Sequence, residues 1–167
     1  MSLLHDVHAL LAEAGVSHAL IGASALLYHG HDRTTADSDL LVVAWAPLQR
    51  SFWTLGSEVS IEIRRGDDED PLAGVVVLVT DDEIVDVVVG RGRWQRELIE
   101  RADTSGSVPV ATLPDLVLLK LHAGGVRDRD DIKAVLPLMS AEQIASVESR
   151  LHVLSQWSQD HWKELRP

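Results

Sequence analysis

Leu20-Ile-Gly-Ala-Ser-Ala-Leu-Leu-Tyr-His-Gly-His-Asp-Arg-Thr-Thr-Ala-Asp-Ser-Asp-Leu40 is the stretch on which the reading of this chain turns. An apolar run over 17–21 has strand character and breaks at Gly22-Ala-Ser24 into a short helix predicted over 25–29, closed by Gly30. Residues 31–36 form a polar loop, and a second strand is predicted over 39–44. Asp37 and Asp39 stand at its entrance. In extended chain, side chains two apart share a face, with Cα atoms ~6.6 Å apart, so both carboxylates can address the same ions. Asp-x-Asp by itself is common, and a loop-ending Asp37 with a solvated Asp39 is the plain alternative. The turn before the pair adds weight. Backbone N–H groups at a helix start, with a glycine permitting close approach, suit an anion. Ser24 either adds a hydroxyl to a phosphate or caps the helix.

Outward from this core, apolar residues at 3, 4, 7, 10, 11 and 14 predict an amphipathic helix ended by Gly15. Pro47 is read as opening a helix that ends near Gly56. Strands are predicted over 58–64, 75–80 and 83–89, then a helix over 94–101 and an edge strand over 108–112 carrying Pro109. From Leu113 onward the pattern is helical, over 113–123, 129–138, 140–149 and 151–165. The expectation is a mixed α/β fold, a mixed sheet flanked by helices with a small helical end. The core spans 1–112 and the C-terminal helical segment 113–167 packs on it. The acidic run at 67–70 reads as a solvated loop.

Composition narrows the function classes. The 167 residues are 46% hydrophobic but only 4% aromatic, which suits an α/β sheet under helices and argues against disorder. Cysteine is absent, so disulfides, thiolate metal sites and a cysteine nucleophile are excluded. A net charge of −11, from 15 basic and 26 acidic residues, argues against a broad phosphate-gripping surface but not against a local cleft. The first 15 residues carry charges at helical intervals and are not read as a signal peptide; no apolar run approaches the ~20 residues of a bilayer span. The expectation is a soluble, cytoplasmic chain that does not enter a membrane.

The long stretch quoted above resembles the Gly-Gly/Ser turn and Asp-x-Asp signature of the polymerase-β-like nucleotidyltransferases. It looks closest to the branch of minimal enzymes containing AbiEii-type toxins: Arg33, Thr35, Asp37 and Asp39 fall on that branch's Arg-x-Thr-x-Asp-x-Asp pattern. Downstream, Leu116-Val-Leu-Leu-Lys-Leu-His-Ala-Gly-Gly-Val-Arg-Asp-Arg-Asp-Asp-Ile132 is similar to its Lys-plus-Arg-Asp-x-x-Asp segment. Together they cover about a quarter of the chain. The resemblance implies transfer of a nucleotide from a nucleoside triphosphate to an acceptor hydroxyl, of an RNA or tRNA 3′ end, a small molecule or a protein. It implies a possible toxin role with an antitoxin partner. A relative that binds nucleotide or a partner without turnover is the competing expectation, supported by Ala23, which departs from the family's turn and carries no hydroxyl.

The resemblance also implies that Mg²⁺ (or Mn²⁺) is held by Asp37, Asp39 and a third acid. Mg²⁺ takes carboxylate, water and phosphate oxygens, and paired ions of this kind clamp an in-line phosphoryl displacement. Asp86, a lone charge within an apolar strand, is the choice for the third acid, against a reading in which it faces water at a strand edge. Glu62 is the rival, on a strand whose polar face alternates cleanly. Nucleotide contacts are expected from Gly22, Ala23, Ser24, Arg33, Thr35, Lys120, Arg127, Asp128 and Asp131. Lys120 sits among leucines, where it either snorkels outward or meets phosphate or Asp128 and Asp131. The two aspartates also fit a helix start on dipole grounds alone. The histidine pairs His5/His8 and His29/His31 lack a matching second cluster and are not read as metal ligands. Trp157 and Trp162 are read as cover for the core or a partner surface.

Overall fold

In the computed structural model, residues 2–32 and 35–166 are described; Arg33 therefore lies outside the described residues. The chain runs α1 (Leu3–Glu13), β1 (His18–Ile21), α2 (Gly22–Tyr28), β2 (Asp37–Val42), β3 (Ser60–Arg65), β4 (Leu72–Val79), β5 (Ile84–Gly90) and α3 (Arg93–Glu100). The helices α4 (Leu113–Ala123), α5 (Val126–Val135), α6 (Ala141–Arg150) and α7 (Gln156–Leu165) complete it. Hydroxyl caps start several of these helices: Ser2, Thr112, Ser140 and Ser155 each accept from the backbone N–H three residues on.

The five strands form one mixed sheet in the order β1-β2-β5-β4-β3. β2 runs parallel to β5, and the other three pairings are antiparallel. The alternating valines of β4 and β5 give the sheet two unlike faces. Val76, Leu78, Val85 and Val87 are fully enclosed in the core on one face, whereas Val75, Val77 and Val88 are only half-buried on the other. That second face is the floor of the clefts described below.

Three expectations need correction. No α-helix follows Pro47: the chain makes only two 3₁₀ turns, Ala46–Leu48 and Arg50–Phe52, closed by the Trp53 indole N–H donating to the carbonyl of Pro47 at 2.8 Å. Bulky Trp53 and Leu48 are pulled into the core there, which favours a tight irregular segment over a regular helix. Residues 108–112 do not form a strand of the sheet. Val110 makes isolated bridges to Leu20 and Asp103, because Pro109 has no N–H to give a ladder. The helix read over 151–165 is split into a 3₁₀ turn, Leu151–Val153, and α7, with Ser155 capping the latter.

Candidate active site

Strand β2 begins at Asp37 rather than Asp39, so both aspartates belong to the sheet and share a face. The register sets Asp39 opposite Ile21 on one side and opposite Asp86 on the other. Directly paired residues on neighbouring strands point the same way, ~4.8 Å apart. Asp37, Asp39 and Asp86 thus project from one patch of the half-open face. β5 lies between β2 and β4, so Asp86 is not at a sheet edge, as the alternative for it had it, but stands half-buried on an inner strand.

Asp86 Oδ1 is buried and has no hydrogen-bond partner among the described residues. Its carboxyl holds its proton more tightly than an ordinary aspartate, first because burial disfavours the charge and then because Asp37 repels it; Arg64 offsets part of this. Glu62 lies on the same face two strands further across, exposed and engaged by Arg64 at 2.7 Å, so its charge is already satisfied in solvent.

Gly22 explains the turn. Its φ of +67° is open to glycine, and a Cβ there would come within 2.0 Å of a carboxylate oxygen of Asp39. The bend and the second aspartate are packed on each other. α2 starts at Gly22 itself, three residues earlier than expected, and its N-cap is Ile21 without a side-chain bond. Ser24 is therefore not the helix cap. Its hydroxyl donates to the carbonyl of Asp37 at 3.1 Å, and that of Thr35 donates to the same carbonyl, also at 3.1 Å. Two hydroxyls hold the start of β2 in position.

Lys120 does not snorkel. It is 8% exposed, and its Nζ donates to Asp131 at 2.7 Å and to Asp128 at 3.1 Å. Asp128 also accepts from the N–H of Gly125, so it both starts α5 and binds the lysine. Arg127 is exposed at the rim. Gly22, Ala23, Thr35, Asp37, Asp39, Lys120, Arg127 and Asp128 converge on a cavity of about 540 Å³. Ser24 and Asp131 support this cavity from behind rather than lining it. A second cleft of about 380 Å³ shares Gly22, Asp39, Lys120 and Asp128 with the first and continues between α4 and the sheet, walled by Leu41, Val88, Leu116 and Leu119. Asp86 lines neither, standing to one side of Asp39.

The donor set fits a hard divalent cation. It is all carboxylate oxygen, and one buried oxygen lacks a partner. Yet among the described residues no three acidic or imidazole groups already close on one point. The arrangement is an open site, in which one or two carboxylates would need phosphate and water to complete an ion's shell.

Sequence reasoning missed three features. Asp115, fully buried, accepts from Arg101 at 2.8 Å, from Thr112 at 2.7 Å and from Arg150, tying α3, α4 and α6 together. Its place in the first turn of a predicted helix hid it, since acids are ordinary there. Gln95, 2% exposed at the end of the apolar cleft, carried no signal beyond being a polar residue in an amphipathic helix. The histidines find local roles: His18 lies under His8 at 2.7 Å and His29 meets the carbonyl of Ala111 at 2.8 Å. Trp162 is buried in the core, while Trp157 stacks on His161 over Gly124.

A mixed five-stranded sheet flanked by helices, with two of its aspartates at the start of β2 and a third opposite on β5, is a nucleotidyltransferase-like fold. Among solved structures, the solution structure of the antibiotic-resistance factor ANT(2'')-Ia matches 90% of this chain and 90% of its own at a TM-score of 0.51 and 10% identity. A crystal structure from H. pylori, described as that of a candidate nucleotidyltransferase, matches 81% of this chain and 69% of its own at a TM-score of 0.49 and 18% identity. JHP933 from Helicobacter pylori matches 81% of this chain and 67% of its own at 0.44 and 15% identity. No protein-family model matches the chain, and no curated protein matches its sequence. Among the described residues no helix is long and apolar enough to cross a membrane.

Proposed function

We propose that this protein is a metal-dependent nucleotidyltransferase, moving a nucleoside monophosphate from a nucleoside triphosphate to an acceptor hydroxyl with release of pyrophosphate. The observation that carries the reading is Asp39 and Asp86 opposite each other on adjacent parallel strands, with Asp37 two residues along and one Asp86 oxygen lacking a partner. Asp37, Asp39 and Asp86 would hold Mg²⁺ or Mn²⁺. When bound, such an ion neutralises charge on the phosphates and lowers the proton affinity of an oxygen it touches.

The charge of the polar cavity supports metal dependence. Among the described residues its lining carries three acids, Asp37, Asp39 and Asp128, and two bases, Lys120 and Arg127. Lys120 is moreover committed to Asp128 and Asp131. A triphosphate placed beside Asp37 and Asp39 would have its charge opposed by theirs, so nucleotide and cation should enter together. Gly22 and Ala23 present backbone beside the phosphates, Thr35 and Ser24 keep β2 aligned, and Arg127 meets outer phosphate charge. Arg33 is proposed as a further phosphate contact on its position in the motif. The Asp86 carboxylate accepts the proton of the acceptor hydroxyl as its oxygen bonds to the α-phosphorus and the bond to the pyrophosphate oxygen breaks.

The acceptor is an RNA 3′ end, a small hydroxylated molecule or a protein side chain, and a toxin role restrained by an antitoxin belongs to the same proposal. Each labelled nucleoside triphosphate, incubated with the protein, Mg²⁺ and pools of RNA, small metabolites and protein, tests it. Label should move to one pool with equimolar pyrophosphate, and Asp37→Ala and Asp39→Ala should each abolish transfer while leaving the fold intact. Full transfer by both variants would refute the site. Tight Mg²⁺-dependent nucleotide binding without pyrophosphate in any pool would favour a non-catalytic binding module, in keeping with Ala23 in the turn.

A further inference from the structure

The apolar cleft beside the carboxylates ends in a polar group that the fold leaves half-used. Gln95 is 2% exposed, and its Oε1 accepts from the backbone N–H of Arg91 at 3.0 Å and of Gly92 at 2.8 Å. Those two bonds fix which end of the amide is oxygen. The Nε2 amide, a double donor, makes no hydrogen bond to any described residue, and the side chain lines the cleft. Its two N–H groups are therefore free to meet a ligand acceptor that enters the cleft.

The walls say what kind of ligand. Leu41 and Val88 face the cleft from the sheet, Leu116 and Leu119 from α4. The His122 ring, held edge-on by Trp94 at 5.4 Å between centroids, adds a flat side, and burial lowers its proton affinity so that it is uncharged at neutral pH. About 380 Å³ of mostly apolar space with one convergent donor suits a planar heterocycle. Because this cleft and the polar cavity share Gly22, Asp39, Lys120 and Asp128, one molecule with a charged half and a flat half can span both. The length agrees. Gln95 packs on Gly90, four residues along β5 from Asp86, or ~13 Å at ~3.3 Å per residue, the reach of a sugar and ring from a phosphate at the carboxylates.

We infer that the cleft between α4 and the β2–β5 face seats the nucleobase of the triphosphate, and that Gln95 selects the base by donating to an acceptor atom on its edge. This rests on the nucleotidyl-transfer reading above. The acceptor substrate then approaches from the side of Asp86, which lines neither cavity. The Gln95 oxygen is occupied by two N–H groups, so an amino group at this point of the base finds no partner and is disfavoured.

Calorimetric titration of the intact protein with Mg²⁺·tripolyphosphate and with each of the four Mg²⁺·NTPs tests the inference. At least one nucleotide should bind about 5–10-fold more tightly than another, the worth of one neutral hydrogen bond. Gln95→Glu keeps the oxygen that accepts from Arg91 and Gly92 but turns the donor into an acceptor, so it should flatten or reorder the ranking without altering tripolyphosphate binding. Leu119→Phe, which fills the cleft from an accessible position on α4, should weaken every nucleotide tenfold or more while sparing tripolyphosphate. Equal affinity for all four nucleotides, an unchanged ranking in a folded Gln95→Glu protein, or undiminished nucleotide binding in Leu119→Phe overturns the base seat. Failure of tripolyphosphate to bind at all with Mg²⁺ overturns the nucleotidyl-transfer reading beneath it.

Discussion

Asp86→Asn should make the protein more stable in chelator and less responsive to Mg²⁺. The carboxyl's proton affinity is raised in the folded state, by burial first and by Asp37 second. A raised carboxyl stabilises the fold fully below its unfolded pKa, and that contribution is lost as pH rises through the folded value. At neutral pH the ionised group is therefore a net cost. Asp37 pairs with Ile84 and so lies diagonally from Asp86, ~7–8 Å away, where like charges repel by about 2 kcal/mol at an effective dielectric of 20 and about 0.5 kcal/mol in water. Asp37 is exposed, so the lower figure applies. Relief of about 0.5 kcal/mol raises Tm by about 1–2 °C in a chain of this length. In the wild-type protein, Mg²⁺ at ten times its Kd adds about 1.4 kcal/mol, and the variant should gain little of it. Thermal melts in EDTA and in Mg²⁺ measure both effects. A variant that melts below wild type in EDTA, or that gains as much from Mg²⁺, would refute the reasoning that Asp86 is a strained, ion-seeking carboxylate.

Gly22→Ala meets both a left-handed backbone and the Asp39 carboxylate, so it should cost about 1–2 kcal/mol or more in stability and abolish metal-induced stabilisation along with activity. Asp115→Ala strips the shared acceptor from Arg101 and Arg150 and should destabilise by about 3–5 kcal/mol, read as denaturant midpoint, without changing the metal dependence of what remains folded. His18 is held neutral, by burial first, so its contribution is present above its unfolded pKa near 6.5 and lost as pH falls below it. The melting temperature should drop between pH 7 and pH 5.5, with a shallower drop in His18→Gln; an unchanged slope would contradict this.

Local periodicity carried much of the architecture. The alternation of β4 and β5, the apolar stripe of α1, the capped start of α4 and the pairing of Asp37 with Asp39 on one face are all properties of windows shorter than about a dozen residues. The extent of Asp37's strand and the tight segment after Pro47 were less legible. There the packing of Leu48 and Trp53 into the core outweighed the local preference for helix.

By itself, then, the order of residues determined that an acidic pair shares one side of a strand, that a glycine bend precedes it, and that a lone acid interrupts a later apolar strand. Only tertiary structure decided that β5 is the strand that lies alongside β2, in parallel and in the register that brings Asp86 opposite Asp39. Tertiary packing alone likewise enclosed Lys120 between Asp128 and Asp131, and turned the Gln95 amide toward a cleft bounded by another helix. Pleat and capping are settled between neighbours in the chain. Which strands adjoin is settled by burying their shared apolar face against everything else, and no short window contains that choice.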